Sequence, residues 1–128
     1  MKLLLDTHIL LWYCRGVLPP KSESLVHNRA NALFFSPASI WEVVTKYSLG
    51  RADFQTNPTI LYERLLEDDC QEIALTSRHM LGVRALPNIH KDPFDRILLA
   101  QAITEGMSLL TSDTILAQYP HSVIYVGR

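Results

Sequence analysis

This chain of 128 residues has almost no net charge, because twelve Lys and Arg residues stand against thirteen Asp and Glu. A formal charge of −1 excludes a protein that attracts nucleic acid through a global positive field, so any polyanion must meet a local basic patch. The chain also has no Pro-, Gly- or Ser-rich linker, no repeat and no low-complexity tract. We therefore expect a single domain spanning residues 1–128.

Cysteines and long apolar runs are scarce as well. Cys14 and Cys70 lie far apart and follow no metal-ligand spacing, which favours buried thiols in a reducing cytoplasm over a disulfide. The apolar run at residues 3–5 is interrupted by Asp6 and His8 long before it reaches the length of a membrane span. These absences predict a cytoplasmic protein.

Short apolar runs alternate with helical patterns along the chain. The runs predict strands at residues 3–5, 32–35, 72–75, 108–111 and 123–126. Capping residues and apolar spacing predict helices around residues 9–13, 22–29, 37–50, 58–67, 76–85, 93–106 and 116–117. In the helix at 58–67 we expect Leu61, Leu65 and Leu66 to face the core. The alternation indicates an α/β fold, a parallel sheet of four to five strands with helices on both faces.

The clearest helix follows Ser36, an N-cap residue with proline directly after it. Its apolar positions have helical spacing and are Ile40, Val43, Val44 and Tyr47. Glu42 points nearly opposite to this stripe, so periodicity alone places it in solvent. Two interpretations stay open: an exposed i,i+4 pair with Lys46, or a polar stripe of Ser39, Glu42 and Lys46 facing a wet cleft.

Carboxylates occur where predicted strands end. Asp6 directly follows the first strand, Asp113 follows the strand at 108–111, and Asp95 lies in the first turn of a helix expected to start at the same edge. Each acid alone also suits a helix N-terminus, but helix capping does not predict that the acids converge where parallel sheets bind ligands. Converging carboxylates raise one another's pKa unless a cation holds them ionised, and oxygen ligands favour Mg²⁺ or Mn²⁺ over zinc.

Four blocks of residues span nearly the whole chain in one order. They are Leu4-Leu5-Asp6-Thr7-His8 with Leu10-Leu11-Trp12, Ser36-Pro37-Ala38-Ser39-Ile40-Trp41-Glu42-Val43 with Lys46 and Leu49-Gly50, His90-Lys91-Asp92-Pro93-Phe94-Asp95-Arg96 with Ala100-Gln101-Ala102, and Leu110-Thr111-Ser112-Asp113. At these separations the blocks resemble the PIN-domain nucleases, and among them the VapC-type toxins of bacterial toxin–antitoxin pairs.

The resemblance implies a three-layer α/β/α sandwich and a metal-dependent endoribonuclease with one or two Mg²⁺ or Mn²⁺ ions as cofactor. The substrate it implies is single-stranded or loop RNA. The partners it implies are a cognate antitoxin and a second copy of the chain, as a homodimer or a hetero-oligomer with the antitoxin.

The resemblance also carries the family's catalytic acids onto Asp6, Glu42, Asp95 and Asp113. We expect Asp6, Asp95 and Asp113 to be metal ligands, and Glu42 to position a water or act as general base. Asp92 is interpreted as a helix cap rather than a further member of the site.

Four other residues in the blocks are candidate contacts for phosphate or RNA. Thr111 and Ser112 carry hydroxyl groups that could orient carboxylates or phosphate, although such groups are common where strands end. Lys46 and Arg96 remain open between a phosphate contact and a solvated charge or ion pair.

The histidines show no two-residue ligand spacing, so His8, His79 and His90 are interpreted as core or loop residues. The alternative to an enzyme is a catalytically inactive PIN-like module that binds RNA or a protein partner. The complete set of acids argues against this alternative.

Overall fold

A five-stranded parallel sheet lies between two layers of helices in a computed structural model that describes residues 1–120 and 122–127. The strands are β1 (Lys2–Leu5), β2 (Ala32–Phe35), β3 (Gln71–Glu72), β4 (Ser108–Thr111) and β5 (Val123–Tyr125), in the order β3-β2-β1-β4-β5. The α-helices are α1 (Thr7–Arg15), α2 (Pro20–Val26), α3 (Pro37–Ser48), α4 (Pro58–Glu67), α5 (Ser77–Gly82) and α6 (Pro93–Glu105). The predicted three-layer α/β/α sandwich is confirmed.

β1 is the central strand and is buried on both faces. Leu3 and Leu5 belong to one hydrophobic cluster, together with Leu10 of α1. Leu4 belongs to the cluster on the opposite face, together with Leu98 of α6. This division follows from the two-residue period of a strand, and a fully buried leucine contributes about 1.5–3 kcal/mol to stability. The leucine run therefore joins both halves of the core.

The strand order reverses at β1, which pairs with β2 on one side and with β4 on the other. Where the order reverses, the connections on the two sides diverge and leave a crevice at the carboxyl ends of the strands. Asp6 follows β1 directly, and Asp113 lies in the loop after β4. The topology alone therefore opens a cleft between two of the predicted acids.

Polar caps start three helices at this edge of the sheet. Asp6 Oδ1 accepts the N–H of Ile9 at 2.9 Å and starts α1. Ser36 caps α3, and Asp92 Oδ1 accepts the N–H of Phe94 at 2.9 Å and starts α6. The predicted cap role of Asp92 is thus present. Helix N-termini carry partial positive charge, which favours carboxylates nearby.

Several elements have other bounds than the sequence predicts, and the brief helix predicted at 116–117 is a 3₁₀ turn, Leu116–Gln118. β3 covers only Gln71–Glu72 instead of 72–75, because its partner β2 ends at Phe35 and offers nothing further to pair with. The second helix is Pro20–Val26 instead of 22–29, since proline suits the first turn of a helix.

The apolar stripe predicted for α3 forms only part of its inner face. Val43 is fully buried and Ile40 packs against the core, but Tyr47 is 39% exposed, and the polar Ser39 and Glu42 are buried instead. Polar contacts turn the helix this way, since Thr7 of α1 hydrogen-bonds to both Ser39 and Glu42. The solvent-facing position that periodicity assigns to Glu42 is wrong.

Cys14 and Cys70 are both free thiols, but only Cys70 is buried as expected, whereas Cys14 is half-buried. Burial raises the pKa of Cys70 to about 12, which leaves this thiol unreactive. Within the described part of the chain, none of the helices has the length and apolar character needed to cross a bilayer.

Two adjacent leucines of α4 test the orientation of this helix. Leu65 is fully buried, whereas Leu66 is 45% exposed, so the inward position predicted for Leu66 is wrong. We expect Leu65→Ala to lower the free energy of unfolding by about 2–5 kcal/mol and Leu66→Ala to lower it by less than about 1 kcal/mol. Urea unfolding followed by circular dichroism measures both, and equal losses would contradict this orientation.

Candidate active site

A cleft of about 580 Å³ lies at the carboxyl ends of β1 and β4. Its walls include all four acids predicted as catalytic, so the structure brings together side chains from opposite ends of the sequence. Asp6 comes from the end of β1 and Glu42 from α3. Asp95 comes from the first turn of α6 and Asp113 from the loop after β4. The other residues of the wall are His8, Trp12, Arg15, Lys46, Arg51, Asp53, His90, Asp92 and Ser112.

Both carboxylate oxygens of Asp6 accept hydrogen bonds. Oδ1 accepts the N–H of Ile9, and Oδ2 accepts a short hydrogen bond from the hydroxyl of Thr111. Thr111 Oγ1 in turn accepts the N–H of Asp113 at 3.0 Å. Burial nevertheless raises the pKa of Asp6 to about 6, against the lowering effect of these donors. One buried hydroxyl therefore connects Asp6 to the loop that carries Asp113.

Glu42 forms the floor of the cleft and is only 3% exposed. Its Oε1 accepts a hydrogen bond from Thr7 Oγ1 at 2.7 Å, and its Oε2 accepts one from Lys46 Nζ at 2.5 Å. The i,i+4 ion pair with Lys46 is thus present, but it is buried rather than exposed to solvent. Of the three residues predicted to form a polar stripe facing a wet cleft, Glu42 and Lys46 line the cleft, whereas Ser39 is fully buried.

Two aromatic rings hold the ammonium group of Lys46. Its Nζ lies 4.8 Å from the ring centre of Phe54 and 5.8 Å from that of Phe94. The negative faces of such rings attract a cation, so the ammonium group stays at the edge of the cleft beside Glu42. One of the four acids therefore has a fixed counter-charge.

His90 lies between the two remaining acids. Its Nε2 is 3.0 Å from Asp95 Oδ2 and 2.9 Å from Asp113 Oδ2. The candidate ligand atoms of His90, Asp95 and Asp113 all lie within 4.8 Å of one another, close enough to surround a single metal ion. This part of the cleft has the donor groups and the spacing of a metal site.

Sequence reasoning did not place His90 in the site, because a single histidine forms no ligand pair. The sequence nevertheless contains one signal for His90, since this residue begins the block that also contains Asp92 and Asp95. Thr7 was likewise missed as a partner of Glu42, since the sequence only suggested a helix start there.

The electrostatics of Asp95 and Asp113 differ. Burial raises the pKa of Asp95 to about 8, and the charges that add to this effect are those of Asp92, Asp6, Glu42 and Asp113. Partial burial also raises the pKa of Asp113, but hydrogen bonds from His90 and from the N–H of Ile115 outweigh it and bring the value below the ordinary one. The cleft therefore concentrates more negative charge than its donors neutralise, and oxygen-rich sites of this kind suit hard divalent cations.

The four candidate phosphate contacts fall in different places. Lys46 and Ser112 line the cleft, whereas Thr111 is fully buried behind Asp6. Arg96 points elsewhere: its guanidinium donates to the carbonyl oxygen of His90 at 3.1 Å and to that of Val83 at 3.2 Å. Arg96 therefore fastens the loop before α6 instead of reaching the acids.

His79 lies outside this cleft and has the structural role expected of it. Its Nδ1 accepts the N–H of Thr76 at 3.0 Å, which caps α5, and its Nε2 is 2.7 Å from Glu105 Oε2. His8 is at the cleft wall, 3.6 Å from Asp53.

Comparisons with known proteins agree with this architecture. VapBC2 from Rickettsia felis, bound to a DNA fragment from its promoter, is similar with a TM-score of 0.72 and 17% identity over 98% of both chains. DNA-bound VapBC from Salmonella typhimurium has a TM-score of 0.70 and 12% identity over 98% of both chains. A toxin–antitoxin complex from Klebsiella pneumoniae has a TM-score of 0.63 and 22% identity over 94% of both chains. At these identities the likeness shows the fold.

No curated protein sequence matches the chain significantly. The model of the PIN-domain family, however, matches residues 3–122, which is nearly the whole chain. The resemblance drawn from the four sequence blocks is thereby confirmed, and the protein belongs to the PIN-domain family.

Proposed function

We propose that this protein, as one domain of residues 1–128, is a metal-dependent endoribonuclease and the toxin of a toxin–antitoxin pair. The observation that carries the proposal is the meeting of Asp6, Glu42, Asp95 and Asp113 in one cleft at the point where the strand order reverses. Membership of the PIN-domain family and a fold shared with VapBC complexes support it.

Mg²⁺ or Mn²⁺ is the proposed cofactor, and such an ion stabilises the charge that develops on phosphate oxygens during hydrolysis. Asp6, Asp95 and Asp113 would hold it, because their carboxylates come from three different elements and line the same cleft. The raised pKa values of Asp6 and Asp95 support this assignment, since a nearby cation relieves the cost of ionising buried acids.

Glu42 is suited to orient a water rather than to bind an ion, because the ammonium group of Lys46 already balances its charge. Each of its oxygens already accepts one hydrogen bond, from Thr7 and from Lys46, so the carboxylate cannot rotate freely. The lone pairs that remain can accept a hydrogen from an attacking water, which is the role of a positioned base.

The mouth of the cleft suits a phosphate backbone. Arg15 and Arg51 lie in its wall, and the ammonium group of Lys46 lies beside Glu42. These cations, with the hydroxyl of Ser112, supply the local basic patch that a nearly neutral chain needs to bind RNA.

The proposal includes a cytoplasmic location, where RNA is the substrate, and an antitoxin that blocks the cleft. Support for the antitoxin comes from the similar solved structures, which are described as VapBC or toxin–antitoxin complexes. A second copy of the chain, forming a homodimer, is part of the same proposal.

Chelation and one substitution test the nuclease. We expect Asp6→Asn to reduce the rate of RNA cleavage at least about 100-fold, because the variant keeps the cap geometry but loses a charge that an ion needs. Excess EDTA should abolish cleavage by the wild type, and added Mn²⁺ should restore it. Gel analysis of a labelled RNA measures the rates.

Glu63→Gln is the matched control, since Glu63 is an exposed acid of α4 outside the cleft. It should cut at the wild-type rate. Cleavage that persists in EDTA would rule out the metal-dependent mechanism. Binding of RNA without cleavage, in the presence of Mn²⁺, would favour the inactive binding module instead.

Asp95→Asn should stabilise the metal-free protein while it abolishes cleavage. The pKa of Asp95 rises from an ordinary 3.8 to about 8 on folding, so this group makes the fold less stable as the pH rises from 4 to 8. The neutral amide removes this loss, and we expect the free energy of unfolding at pH 8 in EDTA to increase by about 2–4 kcal/mol. Urea unfolding at pH 5 and pH 8 measures the change, and a variant no more stable than wild type at pH 8 would contradict the electrostatic account of the cleft.

Expression in a bacterial host tests the toxin role separately from the chemistry. The wild-type chain, expressed alone, should arrest growth, whereas Asp6→Asn should not, because arrest requires cleavage. Colony counts after induction measure the effect. Normal growth in the presence of an enzyme that is active in the lysate would refute the toxin role and leave the nuclease assignment intact.

A further inference from the structure

Three hydrogen bonds hold His90 in place beside the acids. Its backbone N–H donates to Tyr119 Oη at 2.8 Å, and its carbonyl oxygen accepts from Arg96 Nη1 at 3.1 Å. The ring Nδ1 accepts the N–H of Asp92 at 3.1 Å. With the side chain only 9% exposed, the ring has one orientation, in which Nε2 faces the carboxylates of Asp95 and Asp113.

The bond to Asp92 decides which ring nitrogen carries the hydrogen. A hydrogen on Nδ1 would point at the N–H of Asp92, so the hydrogen of the neutral ring lies on Nε2. Asp92 cannot turn this N–H away easily, because its side chain caps α6 through Phe94. Nε2 therefore donates a hydrogen bond to Asp113 Oδ2 and lies 3.0 Å from Asp95 Oδ2.

Because Nε2 carries the hydrogen, His90 is not a metal ligand, although its ring lies close enough to Asp95 and Asp113 to share an ion with them. Imidazole binds a metal through a nitrogen without hydrogen. To ligate an ion, His90 would have to move its hydrogen to Nδ1, where it would meet the N–H of Asp92. The tautomer thus gives His90 a different role from Asp95 and Asp113, which are the proposed ligands.

We propose that His90 is a positioning residue, whose Nε2–H hydrogen-bonds to Asp113 Oδ2 beside Asp95 Oδ2 and so fixes the two carboxylates where they face the ion. This inference rests on the proposed function in one respect, namely that the cleft binds a divalent cation. Two carboxylate oxygens that lie within 3.0 Å of the same atom repel each other when both are ionised, and the positive end of the N–H that faces them offsets this repulsion. Second-layer donors of this kind commonly orient the ligands of a metal site.

Two substitutions separate the N–H of His90 from the bulk of its ring. The amide of glutamine reaches about as far as Nε2, whereas the amide of asparagine reaches only about as far as Nδ1. We expect His90→Asn to weaken Mn²⁺ binding by about 10- to 100-fold and His90→Gln to stay within about threefold of wild type. Titration of the metal-free protein with Mn²⁺, followed by the electron paramagnetic resonance signal of the free ion, measures the affinity without RNA.

His79 provides a matched control for these variants. It is also buried, its Nδ1 also accepts a backbone N–H, and its Nε2 also faces a carboxylate, that of Glu105. His79→Asn should lower the free energy of unfolding but leave the Mn²⁺ affinity unchanged. If His90→Asn binds Mn²⁺ as tightly as wild type, or if His79→Asn weakens binding equally, the proposal is wrong.

A spectroscopic measurement on the wild type tests the tautomer without any variant. Long-range ¹H–¹⁵N spectra of labelled protein should show the His90 hydrogen on Nε2, both before and after saturation with diamagnetic Mg²⁺. A hydrogen that moves to Nδ1 when Mg²⁺ is added would make His90 a direct ligand and overturn the proposal.

The two proposals fail in different ways. A wild-type protein that binds Mn²⁺ but cuts no RNA refutes the ribonuclease and leaves the test of His90 unaffected. A wild-type protein that cuts RNA, with equal Mn²⁺ affinity in His90→Asn, refutes only the role of His90. A wild type that does not bind Mn²⁺ overturns both.

Discussion

Repulsion among buried carboxylates is the constraint to which the architecture of the cleft responds. Asp6, Asp95 and Glu42 lose most of their contact with water, and burial is the largest effect on the first two. Each acid accordingly lies beside a donor group. Asp6 accepts from a threonine hydroxyl, Glu42 from an ammonium group and Asp113 from the imidazole of His90, which also lies 3.0 Å from Asp95. These donors orient the acids, but burial and the neighbouring carboxylates still raise the pKa values of Asp6 and Asp95.

The fold concentrates the acids because a single strand serves two purposes. β1 provides the centre of the core through its leucines, and its last residue is followed at once by Asp6. The position of this carboxylate is thus fixed by the most buried part of the sheet. Tight packing transmits small displacements, so a rigid core gives the acid a defined place beside the loop after β4.

Much of the fold and part of the site could be predicted because the signals are local. The apolar run before Asp6, the Ser36-Pro37 helix start and the Asp92-Pro93 helix start each depend on a few neighbouring residues. Together with the apolar run before Asp113, these signals place Asp6, Asp95 and Asp113 at one edge of the sheet.

The remaining features depend on tertiary contacts that no local pattern contains. Glu42 is buried because a threonine of another helix and the neighbouring Lys46 satisfy its carboxylate, which hydrophobic periodicity cannot anticipate. Leu66 is exposed because α4 covers the core with Leu65 instead. The place of His90 depends on a loop whose course is set by Arg96 and Tyr119. Tyr119 lies outside the sequence block that begins at His90, and Arg96 lies six residues further along that block.

The hydroxyl of Thr111, which links Asp6 to the backbone of Asp113, also has a consequence for motion. Local opening of a native protein begins where few apolar contacts resist it, and the segment at residues 111–113 is held by polar contacts, whereas Leu116 anchors the rest of the loop in the core. Because the acids of the cleft repel one another, we expect this segment to open at a lower free energy than β1, in which all the leucines are buried. Amide hydrogen exchange would accordingly divide the molecule into a slowly exchanging sheet and a faster cleft rim, so that the rigidity of the rim varies with its counter-ions while that of the sheet does not.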